Sequence, residues 1–442
     1  MADLARSDDP AVQNQLDRMA RLSPGVDVLG LDRVAALLER LGDPHLALPP
    51  VFHVAGTNGK GSTCAFLRAA VQAAGKTAHV YTSPHLVRFN ERIRVADRLI
   101  DDTSLAALLA EVLDHAEGIG PTFFEVTTAA AFLAFARTPA DACIVEVGLG
   151  GRLDATNVLT TPAVTGIAQL GLDHQAFLGD RIEIIAGEKA GIAKRGVPLV
   201  TQRYPASVAD RVGQVAAAAG ARWLPRGGPW NAAAYQNRLH YSDGNGTLEL
   251  PLPRLAGAHQ PGNAALAVAM IRHQQAVELP ATALRAAMGW AEWPARLQRM
   301  GTGALADLLP DRSALWLDGG HNPAAGRAIA DFFRHQDGEA AFHIVLGMLA
   351  NKDPAGLLRP FAGRGTTTVH AVPIPGHEHH PPSALAATAR GLGLAAREAR
   401  DIADALSWIG RHADRSAPPT VLILGSLYLA GRVLADNGDQ LG

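Results

Sequence analysis

The chain has 442 residues, 48% of them hydrophobic and 19% charged, with a formal net charge of −2. This length favours two or three domains, and the composition is that of a globular protein rather than a disordered one. The nearly neutral balance gives no electrostatic reason to expect nucleic acid or an anionic membrane as a partner, so small anions must be held by local sites.

Short apolar runs alternate with helical patterns through the first half of the chain. The runs that predict strands are residues 51–55, 77–81, 142–147, 163–168 and 197–201, and the helical patterns are residues 61–74, 124–136, 182–193 and 207–219. This alternation predicts parallel βαβ units in one sheet. Residues 239–250, with Asp-Gly-Asn-Gly inside them, predict an appended β-hairpin.

A second alternation of strand-like runs begins near residue 314 and continues through residues 342–346, 367–371 and 421–424. The helical patterns before it end near residues 293–296, which places a domain boundary there. We therefore expect a larger first domain, residues 1–296, and a smaller α/β domain, residues 297–442. Two cysteines in apolar segments, Cys64 and Cys143, and polar, acidic first residues predict a reduced, cytoplasmic protein.

A glycine-rich turn at residues 53–63 connects a strand run to a helical run. Its glycines let backbone N–H groups approach an anion, and the helix N terminus adds partial positive charge. Lys60 would contact the β- and γ-phosphates, and the hydroxyl of Ser62 or Thr63 would reach Mg²⁺. The match to a Walker A loop is imperfect, because Val54 stands where its first glycine is expected and Gly61 separates Lys60 from Ser62. The segment nevertheless predicts a phosphate-binding loop.

Charged residues follow several later strands. Glu146 ends a buried strand, where α/β proteins bind ligands, and its carboxylate suits Mg²⁺. The alternative is that Glu146 caps the turn or pairs with Arg152. Asp173 and His174 follow the next strand, and such a pair alone is more often structural than catalytic. Lys189 lies on the following helical pattern, and its residue type alone assigns it no role.

In their order along the chain, these motifs resemble the folylpolyglutamate synthase/dihydrofolate synthase family, bacterial bifunctional type, within the Mur ligase superfamily. The resemblance covers nearly the whole chain and rests on residues 27–34, 53–63, 81–86, 123–127, 146–157, 172–174, 188–192, 318–323 and 425–428. It implies a P-loop domain like the Mur ligase central domain, with a parallel-rich sheet, and a smaller Rossmann-like α/β C-terminal domain that acts as the glutamate-ligase domain.

The implied reaction joins L-glutamate to dihydropteroate, to reduced folate (poly)glutamates, or to both, through an acyl phosphate. It consumes ATP and gives dihydrofolate and folylpolyglutamates, with ADP and phosphate. The resemblance implies two Mg²⁺ ions, one held by Ser83 and Glu146 together with Ser62, and a second held by His174. It also implies that Lys189 is carboxylated on its N6 atom, which would turn a cation into an anion.

The resemblance assigns the other site residues by group. The implied catalytic residues are Lys60, Lys189 and His321, and His321 and Ser426 are implied to place glutamate. The implied ATP contacts are Gly56, Thr57, Asn58, Gly59, Lys60, Gly61, Ser62, Asn263, Arg296 and Asp318. The implied folate or pteroate contacts are Leu29, Gly30, Leu31, Asp32, Thr122, Phe123, Phe124, Glu125, Leu153, Asp154 and Ala155.

Three features depart from this pattern or lie outside it. Ala295 stands where a glycine usually precedes the ATP-contacting arginine, and Gly320 replaces the common alanine before His321; neither change removes a functional group. A loop at residues 375–381 carries three histidines and a glutamate, but a solvated loop is favoured over a metal site because no ligands stand at helical or hairpin spacing.

Because an acyl phosphate hydrolyses readily, we expect the second domain to close over the site.

Two rival functions stay open. A P-loop NTP hydrolase would need the same loop but no amino-acid site, so glutamate-dependent ATP turnover separates the two. A Mur-type ligase that adds an amino acid to another carboxylate substrate shares the fold and the chemistry, but the motifs at residues 81–86 and 123–127 argue against it. The expected partners are small-molecule substrates, and the resemblance favours a monomer.

Overall fold

The computed structural model describes residues 6–22, 29–334, 341–362 and 367–439. The chain divides into two compact units, one formed by Met1–Arg254 with His259–Glu292 and the other by Leu255–Ala258 with Trp293–Gly442. Residues 293–296, which the sequence pattern assigned to the end of the first domain, belong to the second unit. Two parts of the sequence predictions lie outside the described ranges. They are residues 1–5 of the acidic N terminus and residues 27–28, the first two of the motif at residues 27–34.

The first unit alternates strands and helices. Its helices are α1 (Pro10–Leu22), α2 (Asp32–Arg40), α3 (Lys60–Ala73), α4 (Asp102–Asp114), α5 (Phe123–Arg137), α6 (Gln175–Leu178), α7 (Ile182–Ala190), α8 (Ala206–Ala219), α9 (Gln260–Arg272) and α10 (Ala281–Trp290). Its strands are β1 (Val51–Ala55), β2 (Ala78–Tyr81), β3 (Ile93–Val95), β4 (Arg98–Leu99), β5 (Ala142–Glu146), β6 (Val164–Ile167), β7 (Pro198–Thr201), β8 (Arg222–Pro225), β9 (Trp230–Tyr235), β10 (Arg238–Asp243) and β11 (Gly246–Pro251).

An eight-stranded sheet forms the core of this unit, in the order β4-β3-β2-β5-β1-β6-β7-β8. The strands are parallel except at the β2-β3-β4 edge. β1 is buried along its whole length between β5 and β6, as expected of a parallel strand covered on both faces. The predicted βαβ organisation is confirmed, and the carboxyl ends of β1, β5 and β6 share one edge of the sheet.

A three-stranded antiparallel sheet in the order β11-β10-β9 completes the first unit. The predicted hairpin is formed by β10 and β11, but β9 was missed because its Trp-Asn-Ala-Ala-Ala-Tyr sequence has low strand propensity. Packing decides its conformation. The buried Trp230 ring stacks on Tyr241 with centroids 5.9 Å apart, and its indole N–H donates to the carbonyl of Leu224.

The second unit is a smaller α/β layer structure. Its strands are β12 (Gln298–Arg299), β13 (Ala314–Asp318), β14 (Phe342–Leu346), β15 (Thr367–Ala371), β16 (Ala395–Glu398) and β17 (Thr420–Leu424). Its helices are α11 (Pro323–Arg334), α12 (Pro354–Leu358), α13 (Pro382–Gly391), α14 (Ile402–His412) and α15 (Leu427–Asn437).

The sheet of the second unit runs in the order β12-β13-β17-β14-β15-β16 and is parallel except for β12. The last strand, β17, lies between β13 and β14, so that Asp318 at the end of β13 stands beside Leu424 at the end of β17. The predicted α/β fold with a second, Rossmann-like unit is confirmed. Both cysteines are buried and free, and no helix in the described ranges is long and apolar enough to cross a bilayer.

Candidate active site

The glycine-rich loop joins β1 to α3. Gly56 and Gly59 have φ angles of 153° and 88°, which side-chain-bearing residues rarely adopt. Space is also lacking, because a Cβ atom on Gly56 would lie 2.9 Å from the Cβ of Ala168 and one on Gly59 would overlap the amide oxygen of Asn263. These two glycines therefore determine the path of the loop, and α3 begins at Lys60 directly after it.

The loop is tied to the segment that follows β6. The backbone N–H groups of Thr57 and Asn58 both donate to the carbonyl of Gln169, at 2.9 and 3.1 Å. The Thr57 hydroxyl donates to the carbonyl of Gly171 at 3.0 Å and accepts from its N–H at 3.1 Å. Sequence reasoning missed residues 169 and 171 because they act through main-chain atoms, which residue type does not reveal.

Lys60 and Glu146 meet at the carboxyl edge of β1 and β5. Glu146 ends β5 and is paired in register with Val54 of β1. The Lys60 ammonium lies 4.0 Å from Glu146 Oε1 and donates to the carbonyl of Gly56 at 3.1 Å. Only 17% of the Lys60 side chain and 6% of the Glu146 side chain are exposed, so water screens this pair of charges weakly.

Lys189 reaches the same region from α7. The glycine turn after β5 lets this helix come close, because a Cβ atom on Gly151 would lie 2.7 Å from the carbonyl oxygen of Glu188. The neighbouring Glu188 carboxylate forms an ion pair with Arg152 at 3.0 Å, so the guanidinium considered as a partner of Glu146 is engaged elsewhere. Lys189 itself is only 4% exposed.

The charge of Lys189 is disfavoured by its surroundings. Burial, reinforced by the positive charge of Lys60, lowers the pKa of Lys189 to about 7, while Asp173 and Asp154 oppose the shift. A lysine in this state is largely a neutral amine slightly above neutral pH, and a neutral amine is a nucleophile. The structure thus places a buried amine with a lowered pKa in the region of the glycine-rich loop.

The other predicted metal ligands, Ser83 and His174, have different settings. Ser83 is partly buried and follows β2, the neighbour of β5, by two residues, which places it at the sheet edge of Glu146. His174 is exposed, has a φ angle of 51°, and its backbone N–H donates to the carboxylate of Asp173. Within the described ranges, no group of three or more His, Cys, Asp or Glu side chains could hold a metal. A site here would need hydroxyl, water or phosphate oxygens, which Mg²⁺ accepts.

The histidine-rich loop at residues 375–381 uses its imidazoles for packing. His379 bonds the carbonyl of His377 at 2.7 Å, and His380 bonds the carbonyl of Lys352 at 2.9 Å. The His377 ring stacks on Tyr428 with centroids 3.9 Å apart. Each of these imidazoles therefore has a partner within the described residues.

The three segments predicted to contact the pterin come together near the N-terminal ends of α2, α5 and a short turn, Ala155–Val158. Arg33 forms a bidentate ion pair with Glu125 at 3.0 and 2.9 Å. The same carboxylate accepts from the N–H of Thr122, whose hydroxyl accepts from the N–H of Glu125, which completes a capping box. The Phe124 ring fills the space where a side chain on Gly148 would lie.

Asp154 is likewise engaged in internal bonds. Its carboxylate accepts from the N–H groups of Leu149 at 2.8 Å and Thr156 at 3.0 Å, and burial raises its pKa. The acidic side chains of Glu125 and Asp154 therefore shape the turns of this region. The pterin contacts that the resemblance implies for these segments stay predictions.

In the second unit, Asp318 ends β13 and Ser426 follows the adjacent strand β17. The Asp318 carboxylate accepts from the backbone N–H groups of Leu297 and Gly320, both at 2.7 Å. Ser426 caps α15 by accepting from the N–H of Tyr428 at 3.1 Å. Both side chains are buried, at 5% and 3% exposure, so each stabilises the local backbone.

Arg296 and His321 lie next to this pair of strand ends in the chain. The residues on either side of Arg296, Ala295 and Leu297, have φ angles of 55° and 43°, and the Ala295 carbonyl accepts from the N–H of Gly319 at 3.0 Å. Left-handed backbone at two non-glycine residues is strained and persists only where the surroundings enforce it. His321 Nδ1 bonds the carbonyl of Gly319 at 2.9 Å.

A P-loop unit followed by a smaller Rossmann-like unit is the architecture of the Mur ligase superfamily, and Lys60 and Glu146 lie at the sheet edge where P-loop enzymes bind phosphates. The chain is 35% identical over 411 residues to the dihydrofolate synthase/folylpolyglutamate synthase of Escherichia coli, with 92% of this chain and 90% of the relative covered. It is 33% identical over 425 residues to the Bacillus subtilis protein of the same name, with 90% and 93% covered. The chain therefore belongs to the dihydrofolate synthase/folylpolyglutamate synthase family, whose members are ATP-dependent ligases.

Solved structures agree with this assignment. Escherichia coli FolC in complex with DHPP and ADP superposes with a TM-score of 0.85 at 33% identity, covering 97% of both chains. A bifunctional folylpolyglutamate synthase/dihydrofolate synthase with Mn, AMPPNP and L-glutamate bound gives a TM-score of 0.84 at 33% identity, covering 96% of this chain and 97% of the other. No family model matches the chain.

Proposed function

We propose that this chain joins L-glutamate to the carboxylate of dihydropteroate, of reduced folate (poly)glutamates, or of both, using ATP and an acyl-phosphate intermediate. The observation that carries the proposal is the meeting of Lys60 and Glu146, 4.0 Å apart, beside the loop built by Gly56 and Gly59. The complexes of relatives with DHPP, ADP, AMPPNP and L-glutamate support the same substrate classes.

The chemistry requires an activated carboxylate, because direct attack by an amine would have to expel oxide. The folate carboxylate attacks the γ-phosphoryl group in line, and Lys60 stabilises the charge that develops there. The acyl phosphate then has phosphate as its leaving group. The α-amine of glutamate attacks the acyl carbon, an amide bond forms, and the amine gives up a proton. We also propose that four residues of the second unit contact ATP and glutamate: Arg296, Asp318, His321 and Ser426.

The oxygen donors at the sheet edge fit a divalent metal. The hydroxyls of Ser62 and Ser83 and the carboxylate of Glu146 are hard ligands, and we propose that they hold one Mg²⁺, which would neutralise phosphate charge. Glu146→Gln keeps the size and removes the charge, so the Mg²⁺ concentration for half-maximal rate should rise and the rate at ordinary Mg²⁺ should fall severely. An unchanged Mg²⁺ titration would show that Glu146 is structural.

We propose that His174 and a carboxylated Lys189 hold a second Mg²⁺. The lowered pKa of Lys189 favours the neutral amine, whose nitrogen forms a bond to the carbon of CO₂ and loses a proton to give a carbamate anion. An anion attracts the metal that an ammonium would repel. The resemblance implies His174, which is exposed, as the other ligand of this ion.

Crystals grown with nucleotide and bicarbonate test this modification. Density for three additional atoms on the Lys189 nitrogen is expected, together with a low activity of Lys189→Ala that a short carboxylic acid partly restores. A bare ammonium in well-ordered density, with normal activity of Lys189→Ala, would refute the carbamate.

The decisive experiment is to incubate the protein with ATP, Mg²⁺, L-glutamate and either dihydropteroate or tetrahydrofolate, and to measure the product masses by mass spectrometry. A mass increase by one or more glutamates, with ATP turnover that depends on glutamate, supports the proposal. ATP turnover without glutamate dependence identifies an NTP hydrolase, and glutamate-dependent turnover with neither folate substrate consumed identifies another Mur-type ligase. The expected monomer is tested by sedimentation, and the cytoplasmic location stays a prediction.

A further inference from the structure

Gln260 is a completely buried amide that joins two parts of the candidate nucleotide site. It is the first residue of α9, and its Nε2 donates to the Ser62 hydroxyl at 3.3 Å. Its Oε1 accepts from Nδ2 of Asn263 at 3.0 Å. A buried amide that loses such partners incurs the full cost of desolvation, so both bonds constrain the groups they reach.

The two partners of Gln260 both face the phosphate-binding loop. Asn263 follows Gln260 by three residues on the same face of α9, and its amide oxygen occupies the space beside Gly59. Ser62 lies in the first turn of α3 and is 3% exposed. The chain of contacts from Gly59 through Asn263 and Gln260 to Ser62 therefore connects the turn of the loop with the hydroxyl two residues beyond Lys60.

The bond from Gln260 restricts what the Ser62 hydroxyl can do. A hydroxyl has one donor hydrogen and two acceptor lone pairs. Because Gln260 uses one lone pair, the other lone pair and the hydrogen are left for a metal ion and a phosphate oxygen. Without Gln260, the hydroxyl could rotate to donate to a backbone carbonyl one turn earlier, as serines in helices commonly do.

We propose that Gln260 is a positioning residue for nucleotide binding, which sets the orientation of the Ser62 hydroxyl and couples it to Asn263. The identity of the nucleotide rests on the proposed function, but the coupling does not. Gln260 thus acts through Ser62 and Asn263 and does not itself touch the nucleotide.

The test is calorimetric titration with a non-hydrolysable ATP analogue, with and without Mg²⁺. Gln260→Met keeps the side-chain length and removes both bonds, and affinity in Mg²⁺ should fall by about tenfold, with a smaller loss when Mg²⁺ is absent. In a Ser62→Ala background the same substitution should cost under about twofold, because interacting residues are not additive. Gln260→Leu, which also removes both bonds without adding a charge, replaces the Met variant where that variant does not fold, and the same pattern is expected.

Gln274→Met is the matched control. Gln274 is also a buried glutamine of the first unit, and it bonds only backbone groups of residues 271, 276 and 277. Its substitution should lower stability without changing analogue affinity. Equal losses for Gln260→Met in both backgrounds, no loss at all, or a matching loss in the control would overturn the inference. Wild-type protein that binds the analogue but forms no glutamylated product would overturn the proposed function instead.

Discussion

The carboxyl edges of the two parallel sheets hold polar side chains in opposite ways. At the edge of β1 and β5, Lys60 and Glu146 are 4.0 Å apart, and Lys189 is buried with its pKa lowered to about 7. At the edge of β13 and β17, both partners of the Asp318 carboxylate are backbone N–H groups at 2.7 Å, and Ser426 caps a helix.

This difference predicts how strongly a substitution at each edge affects stability. Burying a charge costs folding free energy, and a folded protein commonly retains a buried charge where a ligand uses it. Buried carboxylates and hydroxyls that accept backbone N–H groups instead stabilise the fold. Substitutions in the first region should therefore change activity more than stability, and substitutions in the second should always change stability.

The largest effect is expected from Lys60→Ala. Removing a preorganised positive charge from the proposed γ-phosphoryl site should lower ligation by about 10²- to 10³-fold. The melting temperature should change little, because the lost attraction to Glu146 is offset by removal of a charge that disfavours protonated Lys189. Ligation rate and calorimetric melting are measured on the same sample. Lys76→Ala, which changes a partly exposed lysine of the same unit, should leave both unchanged.

Asp318→Ala should destabilise the protein, in addition to any loss of the proposed ATP contact. The backbone N–H groups of Leu297 and Gly320 would lose their acceptor in a buried environment, at about 1–3 kcal/mol for each group. Chemical denaturation monitored in the second unit gives the value. Asp331→Ala, which breaks an exposed pair with Arg334, should change stability by less than about 0.5 kcal/mol. Equal values for the two variants would contradict the inference that the Asp318 carboxylate stabilises the backbone around it.

Lys189→Met should have the opposite sign and should depend on pH. The folded-state pKa of about 7 lies below the ordinary lysine value of 10.5, so between these values the unfolded chain binds more protons and wild-type stability rises with pH. In CO₂-free buffer the Met variant should be more stable at pH 7, and its advantage should shrink by up to about 1.4 kcal/mol for each pH unit above 7.

The measurement is the difference in unfolding free energy between wild type and Lys189→Met at pH 7, 8 and 9. Lys76→Met serves as the control, because that ammonium is partly exposed and its replacement should give no such slope. A difference that is the same at all three pH values would contradict the inference that burial lowers the pKa of Lys189.

The smallest effect is expected from Ser426→Ala. Loss of the N-cap of α15 should cost about 1 kcal/mol, and Ser426→Thr should recover most of it. Asp401→Ala removes the N-cap of α14 in the same unit and should cost a similar amount without changing the KM for glutamate. A KM that rises only in the Ser426 variant would add a ligand role to the structural one, and an unchanged KM would leave the side chain purely structural.

The sequence indicated a good part of the site because its signals are local. Each of the indicated residues is adjacent in the chain to the element that positions it. The glycines of the loop directly precede α3, Lys60 begins that helix, and Glu146 ends the apolar run of β5. Strand β9 shows the limit of such signals, because its alanines favour helix, whereas pairing with β10 and the packing of Trp230 on Tyr241 hold it in the sheet.

By itself, the sequence determined the strand-loop-helix order, the parallel βαβ pattern and the residue types available for phosphate and metal chemistry. Only the tertiary structure decided which of them meet: Gln260 bonds Ser62 across 198 positions of the chain, and Arg33 bonds Glu125 across 92. It also decided that Glu188 faces Arg152 while Lys189 is buried and loses affinity for its proton. Periodicity specifies which face of an element is buried, whereas partners and pKa values depend on packing between elements that the chain brings together only when it folds.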